Sequence, residues 1–232
     1  MSNYQASADG KDAQSVSMAS RASANADAHI SGVYDVECWS PRDGCHALCD
    51  ILLERAAIAE SVGQLQEARD LTRQAHEYMY LKWADTAKNL VTTVGANLLL
   101  DTLLAGSAYT TVGPFMGLIN TNASAAAIGD TMGTHAGWLE VGATNAPQYT
   151  APRKTISFSA AAAKSKASTG SYTFAIITTG GVVGGCFLVT GTGALSTIDN
   201  AAGVLYSAGV FTGGSKTVAV SDSLTVTYTA TA

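Results

Sequence analysis

Charge and glycine trade places near residue 88, so the two ends of the chain follow different folding rules. Residues 1–88 carry 21 of the 31 charged side chains but only 4 of the 23 glycines, whereas residues 89–232 carry 10 charges and 19 glycines. A charged, glycine-poor segment suits solvated tails and helices, and a Gly/Thr/Ala-rich one suits short strands joined by turns. The chain therefore reads as an α+β protein in two parts. A flexible arm over 1–31 and an anchoring α-helical hairpin over 32–88 precede a mainly antiparallel β-sandwich or jelly-roll-like domain over 89–232.

The charge also narrows the partners. The first segment has 8 Lys/Arg against 13 Asp/Glu and the second has 5 of each, with no basic run anywhere. The footprint of a protein that neutralises phosphates is missing, so no nucleic-acid partner is expected. The two most apolar windows, Leu90–Ala105 and Phe174–Val189, are interrupted by Asn97 and Asp101 and by four glycines. Both fall short of the roughly 20 apolar residues that cross a bilayer as a helix, so no membrane insertion is expected. Met1–Ile30 lacks the basic start and apolar stretch of a secretory signal, which predicts synthesis without classical export.

Met1 to about Ser31 holds small polar residues that bury too little apolar surface to offset the entropy of ordering, hence the arm. Ser40-Pro41-Arg42-Asp43 predicts a helix start with Ser40 as N-cap and Pro41 at the first helical position. That helix should end near Val62, with Gly63 supplying the left-handed residue. A second helix over Gln64 to about Asp85 places Leu65, Ala68, Leu71, Ala75, Tyr78 and Met79 on one stripe. The run Asn89–Ala105 fits a short helix or a strand start. Short β-type runs follow at Val112–Ile119, Thr155–Ser159, Tyr172–Thr178, Val182–Thr190, Val204–Phe211, Thr217–Val220 and Leu224–Thr229. In the last, Leu224, Val226 and Tyr228 alternate with threonines, as one buried and one wet face require.

Three patches invite chemistry. Cys38, Cys45, His46 and Cys49 fall within twelve residues, and Cys45 and Cys49 share a helical face that two thiolates bound to zinc would need. The spacing matches no standard zinc motif, so thiols packed in the hairpin, or a disulfide from Cys38, stand beside it, and no metal or cofactor is assigned. The glycine-rich loop Gly129–Glu140 gathers Asp130, His135 and Glu140, which would do acid–base work if they converged in a cleft. No nucleophile or phosphate-loop motif accompanies them, so no catalytic residue is assigned and the protein is expected not to be an enzyme. Asn122-Ala123-Ser124 is formally a glycan acceptor, expected to stay unmodified without export. Trp138 and Tyr149 are the candidate contacts for a glycan or protein partner, on the expectation that they are exposed.

Bulky apolar side chains are few after residue 88, so sheets of this kind share burial with neighbouring subunits. A homo-oligomer is expected, a trimer being one option.

The phrases Ala87–Asp101, Phe115–Ile119, Gly129–Met132, His135–Trp138 and Gly203–Ser207 resemble small virion proteins of tailed bacteriophages, over about residues 87–232. Such proteins commonly begin near the position of Ala87, which makes the first segment look like an added attachment unit. The resemblance implies a particle component, synthesised in the host cytoplasm and partnered by other capsid or tail proteins, with no catalytic positions. It leaves two roles open: capsid decoration or a short head or tail fibre, and a receptor- or glycan-binding adhesin.

Overall fold

The computed structural model describes residues 30–104, 112–120 and 126–232. Its elements begin with β1 (Ser31–Pro41), α1 (His46–Ser61), α2 (Leu65–Glu77), β2 (Met79–Val91) and α3 (Thr93–Leu104). Strands follow: β3 (Phe115–Ile119), β4 (Glu140–Val141), β5 (Lys154–Thr155), β6 (Ser165–Ala167), β7 (Tyr172–Ala175), β8 (Gly181–Val183), β9 (Gly185–Thr190), β10 (Val204–Phe211), β11 (Lys216–Val218) and β12 (Ser223–Thr231). The arm expected over 1–31 lies outside the described residues except for its last two positions, and so does Asn122.

The helical hairpin is real, but it does not precede the β domain. It is inserted between β1 and β2, two neighbouring strands in the middle of the main sheet, whose order is β4-β3-β9-β10-β2-β1-β12-β6. Every pairing in it is antiparallel, with β5 added on β3 and β7 on β12. The boundary read at residue 88 runs through β2, which pairs β1 over Met79–Lys88 and β10 over Ala87–Val91. The charged segment thus supplies two central strands. Its charges mislead because β1 alternates, with Tyr34, Val36 and Cys38 buried and Asp35 and Glu37 exposed.

Two element limits change for the same reason. Ser40-Pro41 closes β1 opposite Met79 and Tyr80 rather than opening a helix. Helix α1 starts only at His46, after a turn with Gly44 at φ +78° and without a side-chain cap. Helix α2 stops at Glu77, eight residues before the expected Asp85, because Met79 onward satisfies its backbone against β1 instead. Gly63 does occupy the left-handed region at φ +80° between the helices. The ambiguous run after Asn89 resolves into the end of β2 and then α3, capped where the Gly95 amide donates to Thr92 Oγ1 at 3.0 Å.

Inside the hairpin Cys49, Leu52, Leu53 and Ala56 meet Leu71 and Ala75, and the cluster continues onto Met79 and onto Ala175 of β7. Polar contacts fasten it to the sheet. Lys154 donates to Glu60 at 2.8 Å, and the His76 ring stacks on Trp39 with centroids 4.7 Å apart.

The principal core takes Tyr34, Val36 and Cys38 from β1, Met116 and Leu118 from β3, Cys186 and Leu188 from β9, Phe174 from β7, and Leu224, Val226 and Tyr228 from β12. Strands far apart in the sheet order therefore face one another across a shared interior, which makes the body β-sandwich-like. A second cluster, with Ile119, Trp138, Phe187, Val189 and Leu205, covers the opposite face of β3, β9 and β10. Burial on both faces explains why Cys186–Val189 reads as a continuous apolar run. The alternation expected in the last strand holds for Leu224, Val226 and Tyr228, yet Thr225 is buried too, beneath a cleft that His76 and Ser171 help to line. No helix among the described residues is long and apolar enough to cross a membrane.

Candidate functional site

The loop after β3 does not assemble an Asp/His/Glu centre. Asp130 Oδ2 accepts the Trp138 indole N–H at 3.0 Å and the Ala127 amide at 2.9 Å, so its carboxylate closes the loop. The His135 ring lies flat on Trp138, centroids 3.8 Å apart, with Nδ1 2.9 Å from the Trp138 carbonyl oxygen. Glu140 turns the other way, into the body.

There it meets Arg153, a partner that the sequence reading missed. The guanidinium donates from Nε to Oε1 at 2.8 Å and from Nη2 to Oε2 at 2.6 Å. It also donates to the carbonyls of Leu195 and Asn200, and the Asp199 amide donates to Glu140 at 2.9 Å. Burial pushes the Glu140 carboxyl above its ordinary value, against the pull of Arg153 and the Asp199 amide. Both carboxylate oxygens of Glu140 and all three guanidinium nitrogens of Arg153 are matched within the chain, the pattern of a structural ion pair rather than of an acid awaiting substrate.

Trp138 and Tyr149 are not the exposed contacts expected of them, each being 1% exposed. Trp138 packs on Phe187 and Tyr149 packs edge-on against Phe174 at 4.9 Å. Both rings fill core positions, Tyr149 in the principal cluster and Trp138 in the second, and this overrides their use at a surface.

The cysteines disperse as well. Cys38 sits in the body core, Cys49 in the hairpin core and Cys186 in β9, and all four cysteines are free thiols. No group of three His, Cys, Asp or Glu among the described residues is placed to hold a metal ion. Cys38 instead points at Asp222, 3.9 Å away. That carboxylate is buried, accepting from Lys82 Nζ at 2.7 Å, Ser40 Oγ at 2.6 Å and the Ala219 amide at 2.8 Å. It ties β1 and β2 to the turn before β12. Desolvation, then the Asp222 charge, pushes the Cys38 thiol up to about 12.

What the fold does leave outward is apolar helix surface. Helix α1 exposes Leu48, Ile51 and Ile58, with Val62 exposed just past its end, and α3 exposes Leu100, Leu103 and Leu104. A cleft of about 200 Å³ separates the hairpin from β7, lined by Ala56, Arg69, Arg73, His76, Lys154 and Tyr172 among others. The outer helix faces, the hairpin's held on the β body by the Glu60–Lys154 and Trp39–His76 contacts and that of α3 by its packing on β10, form the candidate site.

Comparison with known proteins finds no family model, no curated protein and no solved structure that matches this chain.

Proposed function

We propose that the chain is a non-catalytic accessory structural protein of a bacteriophage virion, a capsid decoration or a component of a short head or tail fibre. It would attach through its helices, with the β body outward. The observation that carries this reading is the set of exposed large apolar side chains on α1 and α3, six across the two helices, with Val62 just past the end of α1. An apolar face on an inserted, doubly fastened hairpin suits a protein that works by docking. The kind of particle is taken from the resemblance of the ordered phrases to small virion proteins of tailed bacteriophages. Burial of Trp138 and Tyr149 removes the residues on which a sugar-binding adhesin would have relied.

Gold-label electron microscopy of purified particles, against a tag placed after Ala232, tests this directly. Label over the head is the result expected of decoration, and label confined to a vertex or the tail is that of a fibre. Unlabelled particles carrying an accessible tag would sink the proposal.

A further inference from the structure

The cleft between the hairpin and β7 gathers positive charge in a chain whose net charge is -5. Three of the 13 Lys/Arg, namely Arg69, Arg73 and Lys154, line its 200 Å³ against a single carboxylate, Glu60. The period of α2 brings them there. Leu71 and Ala75 pack on α1, and Arg69, Thr72, Arg73 and His76 run down the neighbouring face of the helix to line the cleft with Ser171 and Thr173 of the body.

The chain matches these cations incompletely. Lys154 is 3% exposed, yet of its three ammonium donors one is taken among the described residues, by Glu60 Oε2 at 2.8 Å. The Phe174 ring, its centroid 5.9 Å from Nζ, offers a π face but no lone pair. Arg69 has no ion-pair partner among the described residues. Its guanidinium nevertheless lies against the body, where Gly170 leaves room for it: a Cβ there would stand 3.2 Å from Nη2. Arg73 is held only by an exposed contact to Asp70, which contributes little. A buried ammonium with donors to spare, beside a guanidinium without a counter-ion, is an arrangement that an anion completes.

We propose that this cleft binds a small organic carboxylate, its charged end met by Arg69 and Lys154. The volume lies below the roughly 300–1,000 Å³ of drug-sized sites, so the occupant is small. Leu53, Ala56 and Ala57 make the hairpin wall apolar, and Thr150, Ser171 and Thr173 place hydroxyls on the body wall. An acid with an apolar body uses both walls, whereas inorganic phosphate uses only one. Arg69 suits the carboxylate because a guanidinium presents two parallel N–H donors to a planar acceptor pair. An occupant bridges α2 and the body, beside the Glu60–Lys154 and Trp39–His76 contacts that already join them. The site is separate from the outward helix faces and stands or falls independently of the particle reading.

Titration of the full chain with benzoate, phenylacetate and hexanoate at about 150 mM salt, followed by amide NMR shifts, tests the site. At least one acid should give saturable shifts at Arg69, Thr72 and Thr173, with a Kd of about 1 mM or tighter. The matching amide, which keeps the body and drops the charge, should bind about tenfold more weakly or worse, and so should the acid to Arg69→Gln. Arg69 is exposed, and an unchanged circular dichroism spectrum checks that its replacement leaves the fold intact. Absence of binding by all three acids, shifts confined to other parts of the chain, equal binding of inorganic phosphate, or full affinity in Arg69→Gln overturns the proposal.

Discussion

Arg153 grips Glu140 through two parallel hydrogen bonds, at 2.8 and 2.6 Å, with both side chains buried. Removing one partner leaves an uncompensated charge in the interior, so Glu140→Leu should destabilise the fold by about 3–5 kcal/mol. The double variant E140L/R153M removes both charges and should regain much of that loss. Urea titrations of the single and double variants measure it. If Glu140→Leu were tolerated, the pair would not be a structural one.

His76 makes the hairpin sensitive to acid. Desolvation in its site against Trp39 lowers the imidazole from 6.5 to about 4. Above pH 6.5 both folded and unfolded chains hold the ring neutral. Between 6.5 and 4 the unfolded chain binds the proton that the folded one refuses, so stability is lost as pH falls through that window. Thermal midpoints at the two ends of it should therefore differ less in His76→Phe than in the wild type.

The thiols should separate by location. Burial raises Cys38, Cys49 and Cys186, and Cys45 alone is partly exposed. At about pH 8 an alkylating reagent should modify one thiol of the native chain and all four after denaturation, counted by mass spectrometry. Rapid modification of three in the native state would mean that the thiols are not buried where the fold puts them.

Gly95 sets how closely α3 lies on β10. A Cβ at this position would collide with the backbone of Tyr206. In a free helix Gly→Ala is favourable by about 0.8–1.0 kcal/mol, whereas in this contact the collision should reverse the sign and cost about 1–3 kcal/mol. The direction of the change in thermal midpoint for Gly95→Ala decides whether α3 is packed as described.

Much of the architecture was legible because it depends on near neighbours. The hairpin turn at Gly63, the strand Val204–Phe211 and the alternation of Leu224, Val226 and Tyr228 follow from local conformational preference and period. Strand β1 was not, because Asp35, Glu37 and Pro41 read as polar and helix-starting until β2 and β12 are placed on either side. The site was less legible than the fold. Asp130, His135 and Glu140 lie close in sequence, but their partners are Trp138 and, thirteen residues from Glu140, Arg153. Leu48 and Ile51 of α1 are exposed, and periodicity shows that a helix has an apolar face but not whether that face is covered.

By itself the sequence determined a helical hairpin, a Gly/Thr/Ala-rich antiparallel β body and the absence of a basic surface run, all properties of composition and short-range spacing. Only the tertiary structure decided that the hairpin sits between two central strands, that Trp138 and Tyr149 are core, and that one side of α1 faces outward. These depend on contacts such as Ser31 with Thr231 across the whole chain, and burial is a property of whatever lies opposite a side chain, which no local pattern contains.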